Sequence, residues 1–278
     1  MFSILLLTRA FHTDIWVFYV CSSVSVALLG WLDDLYSLPG SLRLGGYTLS
    51  AMVIVLGIGY WEVIELPYIG RVVLGKWGIL ITLLWIVGLT NAYNFMDGID
   101  GMAGSQAIVS GLGWVVVGEL MSQVMITELG VLLTASTAGF MLHNWYPARI
   151  FMGDVGATFL GFSFASLAII AGQHEPRLVF AGIVFVWPFV LDTSFTLIRR
   201  LFNRENIFTP HQSHFYQRLV ISGYRHDRVA CIYAVCAAIG ETLAILWWLQ
   251  VHWVEMGLPV ALFVMVGLLV LLVYRSEK

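Results

Sequence analysis

The chain has 278 residues, of which 59% are hydrophobic and only 11% charged, with a mean hydropathy of +0.86. Soluble domains carry about 25% charged residues, so the composition excludes a water-soluble globule and predicts an all-α, polytopic membrane protein. The net charge of −3 is small and scattered and gives no support to a nucleic-acid partner, while Cys21, Cys231 and Cys236 lie in apolar stretches without the spacing of a disulfide framework or zinc site.

Residues 1–8 are apolar but short and lack a basic leader, so they read as the tail of a membrane helix whose beginning is missing rather than as a cleaved signal peptide. A span needs about 20 mainly apolar residues. That measure predicts nine, near 14–32, 46–61, 76–92, 104–121, 127–143, 155–172, 178–198, 229–250 and 255–274. Between the second and third, Tyr60–Gly75 alternates β-branched and aromatic residues around Pro67 and Gly70, which predicts a short extramembrane hairpin. No repeat or low-complexity linker divides the chain, so residues 1–278 are expected to form one membrane domain. Counting turns places Arg43, Arg149, Arg199, Arg200, Arg204, Arg218, Arg225, Arg228, Arg275 and Lys278 on one side, against Arg9, Arg71, Lys76 and Arg177 on the other. The positive-inside rule makes the first side cytoplasmic and the hairpin extracytoplasmic. Every chemically distinctive motif then falls on the cytoplasmic face.

The first motif, G-W-L-D-D-L-Y-S-L-P-G, carries Asp33 and Asp34 at the end of the first span. An acidic pair at a helix C-terminus opposes the macrodipole, which makes it poor punctuation and a candidate site. Crowded carboxylates raise one pKa and prepare a base. Arg43 follows, as a phosphate contact or an interfacial anchor. The second, N-A-Y-N-F-M-D-G-I-D-G-M-A-G at 91–104, sets Asn91, Asn94, Asp97 and Asp100 at steps of three between two apolar runs. Such groups cost about 2.5–3.5 kcal/mol each on insertion scales and need a partner or a job. One unbroken helix would put Asn91 and Asp100 on opposite faces. Gly98, Gly101 and Gly104 predict a loosened backbone that approaches a ligand closely. Oxygen ligands without a His or Cys cluster favour Mg²⁺, with Mn²⁺ as an alternative.

The third motif runs from H-N-W-Y-P-A-R-I into F-M-G-D-V-G-A-T. Asp154, between Gly153 and Gly156 at a helix start, is either an N-cap or a metal ligand. Asn144 and His143 mark the end of the fifth span. Asp192, inside the seventh, is expected to face the bundle and find a partner such as Thr193 or Thr196, in a structural or a catalytic role. The fourth motif, T-P-H-Q-S-H-F-Y-Q-R-L, holds His211, His214, Gln217 and Arg218 in a basic loop. It suits phosphate oxygens better than a transition metal, because no third soft ligand is near.

Taken together and in this order, these motifs resemble the polyprenyl-phosphate N-acetylhexosamine-1-phosphate transferases (glycosyltransferase family 4). The match runs from D-D at 33–34 through N-x-x-N-x-x-D-G-I-D-G at 91–101 and F-M-G-D-x-G at 151–156 to H-x-S-H-x-Y-Q-R-L at 211–219. The last of these looks closest to the branch that begins O-antigen or related surface polysaccharides. The resemblance implies transfer of a sugar-1-phosphate from a UDP-N-acetylhexosamine to undecaprenyl phosphate, releasing UMP with Mg²⁺, at the cytoplasmic face of a bacterial inner membrane. It implies that Asn94 and Asp154 bind the metal, Asp97 and Asp100 line the nucleotide site, and Asn144 lies beside the uridine. Arg43 stands near the lipid phosphate, Asp33 and Asp34 match the catalytic aspartates, and His211, His214 and Arg218 match the loop holding the donor's phosphates. The lipid bilayer is the surrounding partner, and a homodimer is compatible with the family.

There are departures. The family usually opens with two further helices and a cytoplasmic P-x-P-x-G-G-type segment, and this chain starts about where the second helix would end. Ala157 stands where Ser is common, and Tyr47 where Gln is frequent. A shortened, inactive homologue that only binds lipid or partners is therefore an alternative. An ion-coupled transporter would spread polar groups through both halves at mid-depth, and a CDP-alcohol phosphotransferase would need D-G-x-x-A-R with two later aspartates, so both fit less well.

Overall fold

The computed structural model describes residues 14–205 and 211–276. The expected tail at residues 1–8 lies outside them. The order is α1 (Asp14–Tyr36), α2 (Gly40–Gly57), β1 (Val63–Leu66), β2 (Gly70–Val73), α3 (Trp77–Met96), α4 (Met102–Leu120) and α5 (Val124–Asn144). Then come α6 (Gly153–His174), α7 (Arg177–Phe185), α8 (Trp187–Phe202), α9 (Phe215–Ile221), α10 (His226–Trp248) and α11 (His252–Ser276).

Seven of these helices, α1, α2, α3, α5, α6, α10 and α11, have the length and apolarity of a membrane span, and α7 with α8 can make an eighth. The nine predicted segments thus become seven or eight, for two reasons. The predicted segment at 178–198 is broken, with α7 and α8 bent by 76° about Val186. Pro188 has no N–H to continue the α7 ladder, and the Phe189 N–H bonds Val186 O at 3.1 Å instead. The Phe185 carbonyl freed by the break accepts Gln106 Nε2 at 2.9 Å and Ser110 Oγ at 3.0 Å. The predicted segment at 104–121 forms α4, but its glycines, Gln106, Ser110 and Glu119 leave it less apolar than a span.

The bundle is organised around α6, which is apolar all round and buried from Ala157 to Ala171 except at Phe159. A helix without a polar face belongs in an interior. Packed on it are α1, α3, α7 and, more lightly, α4 and α5. By contrast α2 and α11 keep most of their length exposed, as lipid-facing helices do.

The predicted hairpin forms as an antiparallel pair, with Val63 opposite Val73 and Leu66 opposite Gly70. It sits at the end of the bundle where α2 and α6 finish and α3 and α7 begin. There Gln173 Nε2 donates to Tyr60 O at 3.0 Å and Glu65 N to Pro176 O at 3.3 Å. Arg177 Nε meets Glu65 Oε1 at 2.6 Å, and Arg71 Nε meets Glu65 Oε2 at 3.1 Å. Burial alone would raise the Glu65 carboxyl, but the two arginines outweigh it and hold it below its usual range. A carboxylate held low in the fold stabilises above its unfolded pKa and loses that contribution as pH falls through the folded value. We therefore expect the hairpin amides to lose hydrogen-exchange protection, relative to the rest of the chain, as pH falls below the usual glutamate range. Glu65→Gln should show the same loss at neutral pH, because it strips Arg177 of its counter-ion at a cost of roughly 1–3 kcal/mol. Equal protection in wild type and variant at pH 7 would contradict this account.

Candidate active site

The end of the bundle opposite the hairpin collects the acidic motifs. Here α3 stops at Met96 and α4 starts at Met102, with Gly101 at φ 75° between them. The break predicted from the glycines is present, but the glycines do other work than expected. A Cβ on Gly98 would lie 2.1 Å from the Tyr216 hydroxyl, and one on Gly104 would lie 2.3 Å from Met141 Sδ. They admit packed side chains, with backbone conformation at issue only in Gly101.

A cavity of about 220 Å³ opens beside this break, lined by Asn94, Asp97–Asp100, Asn144 and Phe151–Asp154. The sequence had left Asp154 as either an N-cap or a ligand, and the structure gives capping to another residue. Asp154 lies inside the first turn of α6, and Asp34 of α1 supplies the cap. Asp34 Oδ1 accepts the Asp154 N–H at 2.9 Å and Oδ2 the Val155 N–H at 3.2 Å. This satisfies two of the four donors a helix start leaves open and adds a negative charge at the positive end of its dipole. Gly153, at φ 67°, and Gly30 permit the approach, since a Cβ on either would fall within 2.7 Å of the opposing chain. The Asp154 carboxylate is thereby free to face the cavity, within hydrogen-bonding reach of Asn94.

Asp33 is engaged differently. Its Oδ1 accepts the Leu38 N–H at 2.7 Å, and its Oδ2 meets Arg43 Nη1 at 2.8 Å. The same Nη1 lies 3.6 Å from Asp154 Oδ2, so Arg43 bridges the first motif to the cavity. Asp97 has no such counter-charge. Burial, followed by the like charges of Asp154 and Asp34, pushes it up to about 8. Asp100 Oδ2 accepts the Ala148 N–H at 3.0 Å and stands 3.5 Å from His226 Nδ1. Asn144 lines the wall with its amide committed, Oδ1 accepting Gly101 N–H at 3.1 Å and Nδ2 donating to Ile150 O at 3.0 Å.

Asp33, Asp34 and Arg43 stand beside the cavity without lining it, and four further candidates lie outside it. Asn91 turns back on its own helix, its Nδ2 donating to Val87 O at 2.7 Å. His211 contacts Ser213 Oγ at 2.9 Å; burial and then the Arg200 charge lower its pKa, favouring the neutral ring. His214 is buried against Asp192, its Nδ1 3.2 Å from Oδ1. Arg218 stacks over Tyr274 of α11 at 5.0 Å and over Phe215 at 5.9 Å. The interior Asp192 is a structural hub, with Thr196 but not Thr193 among its partners. Three residues that enter this region had drawn no role from the sequence: Tyr216, Tyr233 and His226. Tyr216 stood in the quoted H-x-S-H-x-Y-Q-R string, two residues past His214, which was a usable signal. A lone hydroxyl on an apolar helix face (Tyr233) and a histidine at a helix start (His226) carry none.

Among the described residues no group of three His, Cys, Asp or Glu side chains could hold a metal by itself. The all-oxygen set of Asn94, Asp97 and Asp154 instead suits an ion that keeps water and phosphate oxygens in its shell, as Mg²⁺ does. Fold and site together define a polytopic membrane protein with an acidic cavity at one end of its bundle. The sequence model of glycosyl transferase family 4 matches residues 16–172, and the chain belongs to that family. It is 35% identical over 207 residues to a probable undecaprenyl-phosphate N-acetylglucosaminyl 1-phosphate transferase of Bacillus subtilis, covering 72% of this chain and 57% of that protein. It is 30% identical over 231 residues to a decaprenyl-phosphate N-acetylglucosaminephosphotransferase of Mycobacterium leprae, covering 73% and 57%. To a phospho-N-acetylmuramoyl-pentapeptide-transferase of Lactiplantibacillus plantarum it is 31% identical over 159 residues, covering 56% and 49%. The chain thus spans about half the length of the curated relatives it matches.

The crowding of Asp97 has a measurable sign. Its folded pKa lies above the unfolded one, so the folded state binds the extra proton between about pH 4 and 8, and stability falls as pH rises through that window. Asp97→Asn removes the like charge. In metal-free detergent solution it should raise Tm by a few degrees at pH 9 and by much less at pH 5. A gain of equal size at both values would show that Asp97 is not held up by its burial and its neighbours' charges.

Proposed function

We propose that this chain carries the transferase core that moves an N-acetylhexosamine-1-phosphate from a UDP-sugar to undecaprenyl phosphate. The reaction would be the first membrane step of a surface-polysaccharide or cell-wall glycan. The observation that supports this best is the meeting of Asn94, Asp97 and Asp154 with the Arg43 bridge at one open end of an apolar bundle. A donor that is polar and anionic and an acceptor that is a lipid phosphate need such a boundary. The resemblance of the His loop pointed to O-antigen synthesis, whereas the relatives described above are named for N-acetylglucosamine-1-phosphate and phospho-MurNAc-pentapeptide transfer. UDP-N-acetylglucosamine is accordingly the first donor to try. The clustering of Arg43, Arg149 and Arg225 with the cavity, and of Arg71 and Arg177 with the hairpin, favours a cytoplasmic cavity in a bacterial inner membrane.

In the reaction, an oxygen of the lipid phosphate attacks the sugar-bearing phosphorus of the donor, the P–O–P bond breaks, and UMP departs. We assign the lipid phosphate to Arg43, which Asp33 orients. Asp33 Oδ2 meets Arg43 and its Oδ1 the Leu38 N–H, so we assign this carboxylate to holding Arg43. With a second phosphate pKa near 6 the acceptor is largely ionised at neutral pH and asks for little base catalysis. Positioning and charge stabilisation carry the rate. Asn94, Asp97 and Asp154 would hold Mg²⁺, which supplies neutralisation of the diphosphate oxygens and of the departing UMP. Asp34 keeps Asp154 aimed by capping α6, and Asp100 braces the 147–150 loop through Ala148.

Membranes containing the chain, given undecaprenyl phosphate, Mg²⁺ and a panel of UDP-N-acetylhexosamines, should release UMP with at least one donor and none after chelation. Asp154→Asn should lower the rate by about a hundredfold or more. Silence with every donor would overturn the reading for this chain, and an unimpaired Asp154→Asn would remove the proposed metal ligand. A transporter would instead move solute without releasing UMP.

A further inference from the structure

Asp192 of α8 is wholly buried, and nothing in the chemistry above uses it. Its Oδ1 accepts the Phe215 N–H at 2.9 Å and lies 3.2 Å from His214 Nδ1 and 3.3 Å from Thr196 Oγ1. Its Oδ2 accepts the Tyr216 N–H at 3.2 Å and the Tyr233 hydroxyl at 2.6 Å. An interior carboxylate needs this many donors to stay satisfied. The outcome is mechanical: α9 is fastened by its first turn to α8 and α10. Gln217 completes the fastening, its Oε1 accepting the His214 N–H at 3.1 Å.

What the fastened helix presents to the site is Tyr216, itself fully buried. Its hydroxyl donates to Phe95 O at 2.8 Å, accepts Gln217 Nε2 at 3.1 Å, and is hydrogen-bonded by the Gly98 backbone. The Phe95 carbonyl belongs to the last turn of α3, where no helical N–H follows to meet it. One phenol therefore closes the broken helix end on both sides of Asp97, immediately after Asn94. Gly98 is shaped to this contact, because a Cβ there would fall 2.1 Å from the hydroxyl oxygen and 3.0 Å from Cζ.

We propose that Tyr216, held in place by Asp192, is a positioning residue that locks the 95–98 turn so that Asn94 and Asp97 present their oxygens to a divalent cation. The inference rests on the proposed transferase reading, in that this cation serves the donor diphosphate. Tyr216 touches no substrate and acts only through the turn. Its removal should loosen the turn without emptying the core.

Four full-length proteins test it: wild type, Tyr216→Phe, Gly98→Ala and the double variant. Mn²⁺ alone is titrated, with free ion read by electron paramagnetic resonance, and the Mg²⁺ dependence of UMP release is measured beside it. Tyr216→Phe should weaken Mn²⁺ binding roughly tenfold, the equivalent of one lost hydrogen bond. The half-saturating Mg²⁺ should rise alike, while the KM for UDP-sugar at saturating Mg²⁺ moves much less. Gly98→Ala should be more damaging, and the double variant should recover part of that loss, since removing the hydroxyl removes the nearest clash. A lowered Tm with unshifted Mn²⁺ affinity, or simple additivity in the double variant, would overturn the clamp. A wild type that binds Mn²⁺ and loses it in Tyr216→Phe, yet releases no UMP, keeps the clamp and removes the transferase reading. A wild type that releases UMP while Tyr216→Phe binds Mn²⁺ unchanged removes only the clamp, and one that neither binds nor turns over removes both.

Discussion

Like charges do not gather at the end of an apolar bundle unless the fold holds them there. Asp33, Asp34, Asp97 and Asp154 come from the ends of three helices, and Arg43 bridges two of them, Asp33 and Asp154. Each carboxylate is handled by a different device. Asp33 is paired, Asp34 is spent on backbone N–H groups, Asp154 reaches Asn94, and Asp97 is left to its neighbours' repulsion. The division of labour explains why adjacent aspartates in the first motif need not face one ligand. One orients an arginine and the other shapes a helix start 120 residues away.

Much of this was legible. Hydropathy and length found most of the long helices but counted nine spans where seven or eight stand among the described residues, and the β-branched alternation around Pro67 found the hairpin. Steps of three interrupted by glycine at 91–104 found the broken helix. The spacing of D-D, N-x-x-N-x-x-D and G-D-x-G was enough to name the family. What stayed hidden was hidden for physical reasons. Whether Asp154 caps its own helix or is capped from elsewhere depends on α1 docking against α6, a contact with no local signature. The bend at Val186 turns on one missing N–H at Pro188 within an otherwise continuous apolar run, and window averages pass over it. For His211, His214 and Arg218 the residue types suggested phosphate contacts, while their neighbours in the fold, Ser213, Asp192 and Tyr274, carried no signal in the motif. A motif string records which residues occur together, not which way they point.

Two polar centres of the bundle have opposite designs. Around Asp192 every donor comes from the protein, and the result is rigidity. Around Asp97 and Asp154 the donors are too few for the charge, and the result is a cavity with carboxylates left uncompensated. Tyr216 connects them, with its backbone on the satisfied centre and its hydroxyl on the rim of the unsatisfied one. A rigid anchor beside a charge-strained cavity is the arrangement preorganisation requires, because the strain is held rather than relaxed by the chain moving away.

The cap that Asp34 lends to α6 also bears on the order in which the protein acquires its shape. Ordinary caps are sequence neighbours of the helices they start, so they act before any tertiary contact exists. Here the capping group reaches the first turn of α6 only after α1, inserted five helices earlier in the chain, has met it through Gly30 and Gly153. The innermost helix of the bundle can therefore lie in the membrane with its leading turn still frayed. Both the cap on that turn and the direction of Asp154 thus rest on a contact between helices far apart in the chain.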